Sequence, residues 1–194
     1  MTTQKVYRYL ERISNLLRAE ARQAQHGARL QPVQLEILHY LSICNRHSNI
    51  PAAVTEYLGL TKGTVSQTIS VLEAKGYLEK VPDANDRRVI HLILTEKGRE
   101  IVEASLPPAV LQDGLAYMSP EERELLAKKL EDLLQAIQKA HRFKEFGSCN
   151  SCQYLRNTDT GNVCGLTGLP LEPRELSQIC RDYVSVETAI ERVA

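Results

Sequence analysis

Pro51-Ala-Ala-Val-Thr-Glu-Tyr-Leu-Gly59-Leu-Thr61-Lys-Gly-Thr-Val-Ser-Gln-Thr-Ile-Ser-Val-Leu-Glu-Ala-Lys-Gly76-Tyr-Leu78 decides the fold of this chain. Ala53, Val54, Tyr57 and Leu58 are spaced to give a short helix one apolar face, and Gly59 breaks it. Thr61 is a good N-cap for a second helix, whose inner side is expected to carry Val65, Ile69, Leu72 and Val71. The other side is small and polar, with Lys62, Gly63, Thr64, Ser66, Gln67 and Ser70. Short side chains there let a helix approach a major groove while Gln67 reaches a base edge. Gly76 is placed to close the helix, with Lys75 just before it. Two β-rich runs follow, Tyr77–Pro82 and Val89–Thr95, around the polar connection Asp83-Ala-Asn-Asp-Arg-Arg88, which is the pattern of a hairpin with a basic tip. Thr95 is placed to cap the next helix.

A glycine-joined helix pair alone is common to many helical proteins. A polar-faced second helix followed at once by an arginine-tipped hairpin narrows the choice to a winged helix-turn-helix that grips duplex DNA. In Leu58–Leu78, the wing Asp83–Arg88 and Leu94-Thr-Glu-Lys-Gly98, the chain resembles the MarR family of bacterial winged-helix regulators over about residues 1–145. The resemblance implies a homodimer whose recognition helices enter successive major grooves of a palindrome while the wings touch the minor groove. It also implies that Asp83 and Asp86 shape the wing and orient Arg87 and Arg88. The chain departs from the family's wing at Asn85, where a basic residue is usual.

Charge gives no global field toward DNA, because 24 basic and 24 acidic residues leave the chain formally neutral. Binding is therefore expected to rest on local arrangement, with Lys62, Lys75, Arg87 and Arg88 facing phosphates and Thr64, Ser66, Gln67 and Ser70 in the groove. Residues 1–30 hold six basic and two acidic residues, an excess that is read as a solvated helix face.

The flanks predict dimerisation. Val6, Leu10, Ile13 and Leu17, with Tyr9 and Leu16 beside them, make one stripe of a long helix over residues 3–25. Ser119-Pro-Glu-Glu122 starts another, in which Leu126, Leu130, Leu133 and Ile137 recur with Leu125 and Leu134 alongside. Faces this broad call for a partner subunit. Pro107-Pro108 is expected to end the helix that begins near Arg99, and Pro32 to start one that backs the helix-turn-helix. The division expected is an N-terminal dimerisation helix (1–30), a DNA-binding domain (31–100), C-terminal dimerisation helices (101–146) and a tail (147–194). The fold class is mainly α with a small β-hairpin wing.

The tail carries the second signal, Cys149-x2-Cys152-x11-Cys164-x15-Cys180, four of the chain's five cysteines. Four thiolates in a cytoplasmic protein suit a closed tetrahedral zinc site, and an iron-sulfur cluster is the alternative cofactor. A Cys149/Cys152 thiol switch and four free thiols also remain open. So short a tail has little core of its own, and metal binding would order it. Cys44 reads as a core residue. His39, His47, His91 and His141 show no ligand spacing and read as surface or packing residues, with His26 exposed.

No nucleophile elbow, phosphate loop, secretory signal or membrane-spanning run is evident, so the expectation is a non-enzymatic cytoplasmic protein with no membrane partner. The function expected is a repressor on double-stranded DNA, released by a small-molecule effector or by the metal or redox state of the tail. The alternative is an adaptor that holds a partner protein through the four cysteines.

Overall fold

The computed structural model describes residues 1–28, 30–159 and 161–186, with side chains in the first helix as far as residue 21. The exposure expected of His26 and the last eight residues of the tail lie outside the described residues. Seven helices and seven short strands are seen among them, in the order α1 (Thr2–Ala28), α2 (Pro32–Ile43), α3 (Pro51–Leu58), α4 (Lys62–Ala74), β1 (Leu78–Pro82), β2 (Ile90–Leu94), α5 (Glu96–Ser105), α6 (Ala109–Ala116), α7 (Pro120–His141), β3 (Gly147–Ser148), β4 (Leu155–Thr158), β5 (Gly161–Cys164), β6 (Pro170–Leu171) and β7 (Ile179–Cys180).

One core joins α2 to the helix-turn-helix and the wing. Ile37, Leu38 and Tyr40 of α2 are fully buried against Ala53 and Val54 of α3, Val65, Ile69 and Leu72 of α4, and Leu78 and Leu92 of the wing. The inner face of α4 differs from expectation at one residue. Val71 is 37% exposed and Thr68 is buried in its stead. At about 100° per residue, Thr68 is in phase with Val65 and Leu72 while Val71 is turned away. Burying a hydroxyl there is tolerated because Thr68 Oγ1 donates to the Thr64 carbonyl at 2.8 Å. Tyr57, expected on the inner face of α3, is 38% exposed and packs its ring on Tyr40 and Phe146 instead, at 4.7 and 5.1 Å between centroids.

Local chemistry sets the boundaries. Thr61 Oγ1 accepts the Thr64 amide to start α4. Gly76, at φ +71°, ends it: its amide bonds to Glu73 O and that of Tyr77 to Leu72 O, a Schellman closure that needs a left-handed residue. Ser119 and Glu122 form a capping box at the head of α7. In the wing, β1 and β2 pair antiparallel from Leu78 opposite Leu94 to Pro82 opposite Ile90. Helix α5 ends at Ser105, ahead of Pro107-Pro108, and α6 then packs on α1, where the Val110 amide donates to Glu20.

The long helices stand largely uncovered in the single chain. Val6, Leu10, Ile13 and Leu16 of α1 are exposed, as are Leu126, Leu130, Leu134 and Ile137 of α7, and no residue of α7 is buried. Residues 147–186, by contrast, are a folded module. Strands β4, β5 and β6 form an antiparallel sheet, β3 pairs with β7, and 3-10 turns span Cys149–Ser151 and Pro173–Ser177. The module lies on the turn between α2 and α3, where Cys44 and Ile179 form a parallel bridge.

Gly98 fixes how α5 meets the wing, since a Cβ on it would drive into the Tyr77 carbonyl. Gly98→Ala is expected to lower stability by about 1–3 kcal/mol, the usual cost of overpacking, read as a lower urea midpoint at unchanged slope.

Candidate nucleic-acid interface and cysteine cluster

Helix α4 presents Lys62, Thr64, Ser66, Gln67 and Ser70 on its exposed side, all clear of the core. They are not equally available. Thr64 Oγ1 lies 2.9 Å from Thr61 Oγ1 in the cap, and Ser70 Oγ donates back to Ser66 O at 3.0 Å. Among the described residues, the side chains of Lys62, Ser66 and Gln67 make no hydrogen bond or ion pair within the chain. Gln67, with an amide donor and an acceptor on one flexible stem, is the group most able to read a base edge. Glu73, near the end of the same helix, is offset by Lys80 at 2.7 Å. Lys75 follows the helix in an exposed position.

The wing is built by its two aspartates. Asp83 Oδ1 accepts the amides of Asn85 and Asp86 at 2.8 and 2.9 Å, an Asx turn that bends the tip. These amides, first that of Asp86, hold the Asp83 carboxyl below the usual carboxylate range, with His91 adding to them. Asp86 grips Arg88 by a forked pair at 2.8–2.9 Å and takes its amide as well. Arg88 is therefore held in place, while the exposed Arg87 makes no such pair among the described residues.

His91, in sequence a surface or packing histidine, ties this tip to the helix-turn-helix. Nδ1 lies 2.6 Å from Asn49 Oδ1 and Nε2 lies 3.2 Å from Asp83 Oδ2. Asn49 also accepts the Leu92 amide on its carbonyl at 2.7 Å. Nothing local in the sequence marks Asn49 or His91, since they are 42 positions apart.

The cysteines converge. Cys149, Cys152, Cys164 and Cys180 all line one cavity of about 30 Å³, with Asn45, His47 and Asp182 at its edge. All are free thiols. Among the described residues, no three His, Cys, Asp or Glu side chains stand in metal-ligating geometry. Burial, then the neighbouring Cys180, Cys152 and Cys164, pushes Cys149 up to about 11. Burial also raises Cys180, against donors from Asn45, the Asp182 amide and Ser48. At Cys164 burial is outweighed by the Thr167 hydroxyl and the Thr167 and Leu166 amides, which donate to Sγ and bring the thiol below its ordinary value. Cys44 lies apart in the core, 6% exposed, with burial raising its thiol to about 12.

The module reaches the α2–α3 turn through residues that sequence reading passed over. Arg181 forks onto Glu56 of α3 at 2.6 and 2.7 Å, and its amide donates to Ser48 Oγ at 2.8 Å. The Asn45 amide donates to Ile179 O at 2.9 Å. Arg46 donates to Pro170 O at 2.7 Å and pairs with the buried Glu175 at 3.2 Å.

Comparison with known proteins agrees with this geometry. A model described as a winged helix DNA-binding domain matches residues 30–98. The transcriptional repressor MprA of Escherichia coli (strain K12) is 33% identical over 89 residues, 43% of this chain and 51% of that protein. The chain thus spans about half the length of that curated relative. The crystal structure of Streptococcus pneumoniae FabT in complex with DNA is 32% identical with a TM-score of 0.55, and 71% of this chain covers 99% of it. A MarR family protein from Bacillus stearothermophilus, 22% identical, shares the fold with a TM-score of 0.60 over 71% of this chain and 96% of its own. With its winged helix-turn-helix, its long flanking helices and these relatives, the chain belongs to the MarR family.

Proposed function

We propose that this protein is a transcriptional regulator that binds a palindromic operator as a homodimer and represses until an effector releases it. The observation that carries this reading is the uncommitted polar face of α4, centred on Gln67 and followed directly by an aspartate-braced wing with Arg87 at its tip. A face of that size and polarity suits a major groove, and a basic tip suits the phosphates or minor groove beside it. The relatives lend support, one being named a repressor and another having been solved on DNA. The role is one of binding, not catalysis. Among the described residues no helix is long and apolar enough to cross a membrane, which accords with a place beside DNA in the cytoplasm.

Dimerisation is supported by the uncovered leucines of α1 and α7, since water contact along two long helices is costly and a second copy removes it. The groove of about 910 Å³ between α2, β2, α5 and the Pro107-Pro108 bend, with His39, Arg99 and Glu103 among its lining, has room for a small-molecule effector. Matter bound there would act on the spacing of two half-sites about 34 Å apart, where a shift of a few ångströms is enough to lose one.

The deciding experiment is selection from a random duplex pool with the purified protein. An enriched inverted repeat, bound with an affinity that falls steeply with salt, is expected; recovery of no common sequence would sink the reading. On the selected duplex, Gln67→Ala should cost about 1–3 kcal/mol and relax preference at a few positions. Arg87→Ala should weaken all sequences alike and lower the salt slope by about one. Leu130→Glu, on the uncovered face of α7, should shift the protein to monomer in analytical ultracentrifugation and weaken operator binding with it.

Asp83 gives a test of the wing itself. Asp83→Ala should abolish hydrogen-exchange protection at the Asn85 and Asp86 amides while protection in α4 persists. Because the Asp83 carboxyl is held low in the folded wing, that protection should be complete above the ordinary carboxylate range and be lost as pH falls through the lowered value. Protection that is unchanged by the substitution would remove Asp83 from its role.

A further inference from the structure

The C-terminal module has too little apolar material to account for its order. Among its described residues only Cys149, Leu171 and Tyr183 are buried apolar ones. At about 40 residues a hydrophobic core alone usually fails, and disulfides or metals take over. Its cysteines are unpaired, yet they are gathered: Cys149 and Cys152 flank one 3-10 turn, Cys164 ends β5 and Cys180 lies in β7. Three separate pieces of backbone thus bring four sulfurs to one cavity.

We propose that Cys149, Cys152, Cys164 and Cys180 bind one thiolate-preferring divalent ion of the zinc class, and that the filled site clamps the turn between α2 and α3. The four cysteines that line this one small cavity are the full ligand set of a single ion of that class. Four sulfurs close a tetrahedral shell and leave no position for a substrate, so the ion is structural or sensory. Binding draws the three cysteine-bearing pieces to ligand distance and releases the thiol protons to solvent.

The clamp follows from where the fourth ligand sits. Cys180 stands between Ile179, whose carbonyl accepts the Asn45 amide, and Arg181, and both partners, Asn45 and Ser48, belong to the turn and not to the module. Arg181, the next residue, holds Glu56 of α3 and donates its amide to Ser48. An ion that fixes Cys180 therefore fixes the entry to α3, the helix against which α4 packs. That this changes DNA affinity rests on the function proposed above; the metal site itself does not.

Protein purified without oxygen should contain about one zinc per chain, with neither iron nor acid-labile sulfide. Iron with sulfide, or no metal at all, would overturn the single-ion site. Cys152→Ser and Cys180→Ser should lose the metal while Cys44→Ala keeps it. Because a serine variant can unfold the module, cobalt added to chelator-stripped wild-type protein is the second measurement. Intense visible bands with sulfur-to-cobalt charge transfer support four thiolates, and the weak spectrum of an octahedral ion overturns them. Asn45→Ala, which removes a polar side chain lining the cavity beside Cys180, should weaken zinc binding roughly 10- to 100-fold. For the clamp, hydrogen exchange at residues 44–56 should slow on metal addition, and an unchanged rate overturns it whether or not an operator has been found. On the selected duplex, Arg181→Ala should retain one zinc and bind more weakly; unchanged binding would separate the metal site from DNA recognition.

Discussion

The turn that carries the chain from α2 to α3 is polar and buried at once, and the rest of the structure is arranged to satisfy it. Asn45 is 3% exposed, Ser48 0% and Asn49 9%. A buried donor or acceptor without a partner costs about 1–3 kcal/mol, so a turn of this composition is stable only where other elements supply its hydrogen bonds. They come from three directions. Tyr40 of α2 donates to Ser48 O at 2.9 Å, Leu92 of the wing donates to Asn49 O, and Ile179 and Arg181 of the C-terminal module meet Asn45 and Ser48.

One consequence is that the wing, the helix-turn-helix and the module share a single junction of five residues. Asn49 reaches the wing tip through His91 and Asp83, while Asn45 and Ser48 reach the cysteine cluster through Ile179 and Arg181 on either side of Cys180. A disturbance at either end changes the hydrogen bonding of the same turn. Packing reinforces this: Phe146, just ahead of the module, stands edge-on to both Tyr40 of α2 and Tyr57 of α3.

Formal neutrality is consistent with a nucleic-acid partner because charges are placed locally. Glu73 is matched by Lys80 and Asp86 by Arg88, and the carboxylate of Asp83 is spent on amides of the wing. Among the described residues, Gln67, Ser66, Lys62 and Arg87 remain uncommitted on this side of the molecule. Opposite in character are α1 and α7, which leave leucines, isoleucines and, in α1, a valine exposed in the single chain.

The sequence by itself determined the helix-turn-helix and its wing, because their boundaries depend on neighbours in the chain. Thr61 caps α4 by accepting the Thr64 amide on its hydroxyl oxygen, Gly76 closes the helix in a left-handed conformation, and Asp83 bends the wing around the next three positions. The five groove residues of α4 are exposed by helical periodicity and Arg87 and Arg88 by their place in the wing turn; the reading of the helix failed at Val71 and Thr68 because apolar character was followed there in place of helical phase. The grouping of four cysteines was also legible, as a spacing. Tertiary structure alone decided that the module folds onto the α2–α3 turn. The Ser48–Arg181 bond spans 133 positions and Glu56–Arg181 spans 125, and contacts so distant leave no periodic or capping signature on either side. A polar run such as Asn45-Arg-His-Ser-Asn49 reads as a solvated linker until the groups that bury and bond it are in place.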